Sequence, residues 1–173
     1  MRILYVLLLV FITSVGKTQK IDSLFITAAL TKLQHSKEYT MQVARLMPEN
    51  KYDFKPVADE MGFGEQLIHI CSNMQWLCGS YLTVEKMKFD ISSAKSLTKE
   101  AIIGLLNETY DYSINALKKF DTKQLADTVS FFAGPKTKLQ IINLLNDHQT
   151  HHRGQVLVYL RLNSIKPPDY VGW

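Results

Sequence analysis

Apolar residues recur at helical spacing along four stretches of the chain, and turn-forming residues separate these stretches. From Ile21 to Met47 the positions Leu24, Ile26, Ala28, Leu30, Leu33, Val43 and Leu46 predict a helix whose period is interrupted near His35. Asp22 is placed to cap its start and Pro48 to end it. The segment 48–64, PENKYDFKPVADEMGFG, is long for a bundle connection, which suggests that it covers something. A second helix is expected from Gly64-Glu65 to the region of Thr83, with Leu67, Ile70, Met74, Leu77 and Tyr81 as its core stripe. A third opens after Ser96 or Thr98 and runs to Phe120, carrying Ile102, Leu105, Leu106, Thr109, Tyr112 and Leu117 on its apolar side. The loop from Asp121 to Lys136 contains Phe131-Phe132 and the turn pair Gly134-Pro135. A fourth helix spans Thr137 to Asn163, ahead of Pro167-Pro168. No stretch alternates with a period of two. Four helices of about 20 residues each make an all-α four-helix bundle the economical architecture.

The N-terminal stretch reads differently. Arg2 is followed by an almost unbroken apolar run, Ile3 to Val15, and then by Gly16-Lys17-Thr18-Gln19. Spanning a bilayer takes about 20 such residues, so the run is short for a transmembrane helix and fits a secretory signal. Residues 1–18 are therefore expected to be a signal peptide cut near Thr18–Gln19, and 19–173 a single bundle domain. The mature protein would be secreted or periplasmic. No cysteine follows the run, which disfavours a lipid anchor.

The chain of 173 residues is 46% apolar and 21% charged, ordinary for a globular protein. Its formal net charge is +4, and loss of Arg2 and Lys17 would leave +2. The remaining basic residues are scattered, so nothing marks a nucleic-acid surface. Cys71 and Cys78 lie seven residues apart on one predicted helix. That is about 10.5 Å of rise, beyond disulfide reach, and they read as buried thiols. Unpaired thiols sit in mild tension with an oxidising compartment.

The chemistry gathers in LLNDHQTHHRGQVLVYLRLNSIKPP (144–168). On a helix His148 and His152 stand one turn apart on one face, in line with Ile141, Leu145 and Tyr159, so both imidazoles can reach one cation. His69, mid-way along the second helix, shares its face with Asn73 and Trp76. Three inward histidines on two helices of one bundle are costly to desolvate without a shared ligand. Neutral imidazole suits zinc, nickel, copper or ferrous iron. His151 is a competing i,i+3 partner of His148, or else a surface residue paired with Asp147. His35 reads as partly exposed.

The segments FGEQLIHICSNMQWL (63–77) and 144–168, with MPENKYDFKP (47–56) before them, strongly resemble the DinB/YfiT-like superfamily. The resemblance covers essentially the whole mature chain, and HRGQ with its upstream histidine is its most specific part. It implies a four-helix bundle with a non-standard crossover order, often paired as a homodimer. It also implies metal ligands at His69, His148 and His152, the last placed directly before Arg153-Gly154-Gln155 and so preferred over His151. Zinc or nickel is the expected divalent cofactor.

Three histidines leave a coordination position open, as in catalytic sites. Metal-dependent hydrolysis and thiol-dependent transfer both follow, with an unknown small-molecule substrate. Thiol cofactors used by characterised relatives are cytosolic, so that activity transfers poorly to an exported protein. The alternative is a non-enzymatic metal-binding protein of the cell envelope. Glu65, Glu60, Asp53 and Asp147 are the carboxylates nearest the site in sequence or in the covering loop, and none is a catalytic assignment. Gly154 would permit a close helix or dimer contact, while Arg153 and Gln155 would hold loops or a partner subunit.

Overall fold

A computed structural model describes residues 2–87 and 98–172, with side chains described from Ile21 onward. Four helices dominate it: α1 (Arg2–Leu46), α2 (Phe63–Leu77), α3 (Lys99–Lys118) and α4 (Lys138–Leu162). A π-helical turn, Cys78–Leu82, prolongs α2 close to its expected end. Asp22 does not cap α1, because the helix runs unbroken through it. The signal cleavage expected near residue 18 would fall inside this helix, in a part whose side chains lie outside the described residues. No helix among the described residues is long and apolar enough to cross a membrane.

The other helix ends follow local chemistry. Thr98 accepts from the Ala101 N–H at 3.3 Å and starts α3; Ser96, the other expected start, lies outside the described residues. Thr137 and Gln140 form a reciprocal capping box at the start of α4, satisfying donors the helix leaves free. At the other end of α1 the Lys99 ammonium donates to the carbonyls of Arg45 and Met47, closing that helix against α3. Between α3 and α4 lies a two-residue antiparallel ladder, β1 (Thr128–Val129) with β2 (Lys136–Thr137), which the sequence pattern does not announce. Gly134 turns between these strands at φ 86°, in the left-handed region that favours glycine.

The bundle order follows from the cross-helix contacts. α2 packs against α3 and α4, and α1 packs against the same two helices. Lys37 pairs with Asp111, and Lys99 reaches back to Arg45, so α1 and α3 run antiparallel. Lys32 meets Asp147 and Arg153 meets Thr40, so α1 and α4 run parallel. Gln66 bonds to Gln155 while His69 lies against His148, so α2 and α4 run antiparallel. Consecutive helices α1 and α2 therefore stand diagonally, and residues 47–62 cross the end of the bundle between them. This is the non-standard crossover order, and it brings α2 and α4 side by side.

The crossing segment is pinned at the head of α2. The Tyr52 hydroxyl donates to the Ala44 carbonyl at 2.7 Å, and the Gly64 N–H donates to the Tyr52 carbonyl at 2.8 Å. A Cβ on Gly64 would sit 3.2 Å from Ile102 and 3.3 Å from the Tyr52 ring, so glycine lets the loop close onto α2. Leu33, Met47, Phe63, Leu67, Ile70, Leu77, Leu106, Tyr110, Leu117, Ile141 and Leu160 are fully buried in the shared core. Cys71 and Cys78 are buried free thiols, and desolvation pushes both up to about 12, which makes them inert at neutral pH.

Candidate metal centre

His69 comes from the second turn of α2, and His148 and His152 come from successive turns of α4. The three offer ligand atoms that all lie within 4.8 Å of one another. Their ring centroids are 5.0 Å apart for His69 and His148, 4.5 Å for His69 and His152, and 4.5 Å for His148 and His152. His152 is buried, whereas His69 and His148 keep partial exposure.

Electrostatics keeps the rings neutral. Burial lowers His69, and burial followed by the neighbouring histidines lowers His148 and His152 to about 4. A protonated imidazole cannot ligate, so the same desolvation leaves the nitrogen lone pairs available at neutral pH. Three neutral, borderline-soft nitrogen donors on two rigid helices fit a divalent transition metal.

One ring is held by a chain of hydrogen bonds. Nδ1 of His152 donates to Oε1 of Gln66 at 2.6 Å, which leaves Nε2 of His152 for the cluster. Nε2 of Gln66 donates to Oε1 of Gln155 at 2.9 Å and to the Tyr159 hydroxyl at 3.4 Å. Tyr159 in turn donates to the Met61 carbonyl at 3.0 Å, and Phe54 packs edge-on against its ring at 5.9 Å. The covering loop thus reaches the site through Phe54 and Met61, not through its carboxylates.

Several expectations need correction. Asp147 pairs with Lys32 at 3.7 Å, and the exposed His151 instead sits 3.2 Å from the Gln155 amide. Glu65 accepts from the Gly62 N–H at 2.6 Å and pairs with Lys55 at 3.1 Å, so it secures the start of α2. Asp53 and Glu60 are exposed. Gly154 is exposed, with nothing within 4 Å of where a Cβ would stand, so no close helix contact inside the chain requires it. Arg153 is buried, lies 5.2 Å over the Tyr39 ring and donates to Thr40, binding α4 to α1. Tyr110, absent from the predicted apolar stripe of α3, is fully buried and bridges Thr40 and Gln149.

Fold and site together describe a crossover four-helix bundle with a histidine cluster between its second and fourth helices. The DinB superfamily model matches residues 32–156, and the chain belongs to that superfamily. It is 23% identical over 126 residues to YjoA of Bacillus subtilis (strain 168), an uncharacterised protein, across 70% of this chain and 80% of the relative. The crystal structure of that DinB-like protein superposes with a TM-score of 0.67 at 17% identity, covering 83% of this chain and 96% of the other. A DinB-like protein from Bacillus cereus ATCC 10987 gives 0.71 at 19% identity, covering 83% and 95%. These structures share the all-helical fold.

Proposed function

We propose that His69, His148 and His152 hold one divalent cation, zinc or nickel, and that the protein is a metal-dependent enzyme acting on a small molecule. The observation that carries this reading is the convergence of three neutral imidazoles within 4.8 Å, two of them on residues that keep partial exposure. A divalent ion held by three protein ligands acts as a Lewis acid and acidifies a water or thiol in its open position. The chain's own part is to fix the ligand rings, through Gln66 on His152, and to limit water on the side where Tyr159 and Phe54 pack.

Hydrolysis is the reaction class best suited to an exported protein, because intracellular thiol cofactors are not met outside the cell. Export itself belongs to this proposal, resting on Arg2 and the apolar run Ile3 to Val15. The second reading, a metal-binding protein without catalysis, would be favoured by a sealed site. Trp76 is instead turned toward Phe131 and Phe132, at ring separations of 5.5 and 6.2 Å, and does not cap the histidines. The test is a screen of zinc-loaded and nickel-loaded protein against ester, amide and thiol-transfer substrates. Turnover that disappears on chelation and in His148→Ala supports the enzyme. Metal bound stoichiometrically without turnover across all three classes supports the binding protein.

A further inference from the structure

Among the described residues, Oδ1 of Asn73 on α2 and Nδ1 of His148 on α4 are solvent-inaccessible and have no hydrogen-bond partner, and the same holds for Oδ1 of Asn146 and Nε2 of Gln149 on α4. The Asn73 atom is an acceptor, and the His148 atom is a donor whenever the ring ligates through Nε2. These two lie on facing helices. Along α2, Gln66 precedes His69 by three residues and Asn73 follows it by four, so the two amides flank His69 by one turn on either side. Along α4, His152 and His148 are likewise one turn apart. Because α2 and α4 run antiparallel and His69 lies against His152 with Gln66 bonded to Gln155, one turn beyond His69 on α2 brings Asn73 to the level of His148, one turn before His152 on α4.

We infer that Asn73 is the positioning residue for His148, accepting its Nδ1–H as Gln66 accepts that of His152, and that this contact closes when the cation is bound. The inference rests on the metal-site reading above. Leaving both atoms unpaired costs each its full desolvation penalty, and one hydrogen bond relieves both. The two amides then fix both α4 rings with Nε2 toward the ion. An outer partner of this kind orients the ligand and raises its basicity, and losing it costs about 10–100-fold in metal affinity.

The experiment is a zinc titration of the full chain and of Asn73→Leu and Asn73→Asp, read by calorimetry and by histidine side-chain 15N–1H spectra. The expected wild-type spectrum shows His148 ligated through Nε2 with a slowly exchanging Nδ1–H. Asn73→Leu should lose at least tenfold in zinc affinity together with that protected proton, and Asn73→Asp should restore both. Ligation of His148 through Nδ1 in the wild-type protein overturns the assignment without any variant needing to fold. Unchanged affinity and an unchanged His148 signal in Asn73→Leu overturn it as well. Wild-type protein that takes up no zinc at all overturns the metal reading on which it rests, a result distinct from either.

Discussion

Gln66 and His152 meet across the α2–α4 interface at 2.6 Å, and the amide dictates which ring nitrogen of His152 is free. Because Nε2 of Gln66 is engaged with Gln155 and Tyr159, only Oε1 faces the ring, and an oxygen there demands a donating Nδ1–H. The tautomer of a ligand candidate is therefore set by a residue that touches no metal.

Replacing this amide should weaken metal binding without dismantling the bundle. Gln66→Leu is expected to cost about 10–100-fold in zinc affinity, whereas Gln66→Glu, which still accepts, should stay within a few fold of wild type. Calorimetry alongside far-ultraviolet circular dichroism separates the two effects. Equal affinity in Gln66→Leu and wild type would show that the hydrogen bond does not orient the ligand.

The depressed histidines make a prediction about acid. His148 and His152 fall from an ordinary 6.5 to about 4 in the folded chain, so between these values the unfolded state binds more protons. Stability of the metal-free protein should then rise with pH across that window, and fall as pH drops from about 6.5 to about 4. Thermal melts at closely spaced pH values measure this slope. His148→Ala/His152→Ala should flatten it, and a slope unchanged in that variant would place the titration elsewhere.

Tyr110 tests the core. Its hydroxyl joins Thr40 of α1 to Gln149 of α4, and all three side chains are fully buried. Tyr110→Phe strips a partner from two buried polar groups and is expected to destabilise the protein by about 1–3 kcal/mol in urea unfolding. Zinc affinity should barely change, because the hydroxyl lies outside the histidine cluster.

How much of this the sequence displayed depends on how local each cause is. The fourth helix was legible from Thr137 to Asn163 because its cap and period lie in adjacent residues, and His148 with His152 follow from i,i+4 spacing on it. His69 needed the bundle as well as the helix, and the family resemblance supplied that pairing. Gln66, Tyr110 and Arg153 stayed hidden because their partners lie 86, 39 and 113 residues away, and polar residues at such positions read as surface until the register of the helices is known. Asp22 has the local chemistry of a cap, but α1 joins the apolar run before it to the helix after it, so no helix end falls there.

Export predicts a processed chain. Mass spectrometry of the protein recovered from its native host should show an N-terminus near Gln19, cut within what is a continuous helix in the full chain. Intact protein from the cytosol would remove the objection to intracellular thiol chemistry.

The central claim is that three histidines converge on one ion, and elemental analysis with paired thermal melts tests it most directly. Untagged wild-type protein should carry about one zinc or nickel per chain, and His69→Ala, His148→Ala and His152→Ala should each lose it while His151→Ala and His35→Ala keep it. Chelation should lower the melting temperature while leaving the helical spectrum intact at room temperature, since a ligand bound only by the folded state adds about 2.7 kcal/mol at a hundredfold excess over its dissociation constant. Metal retained in His152→Ala but lost in His151→Ala, or a melting temperature unmoved when a verified ion is removed, would contradict the account.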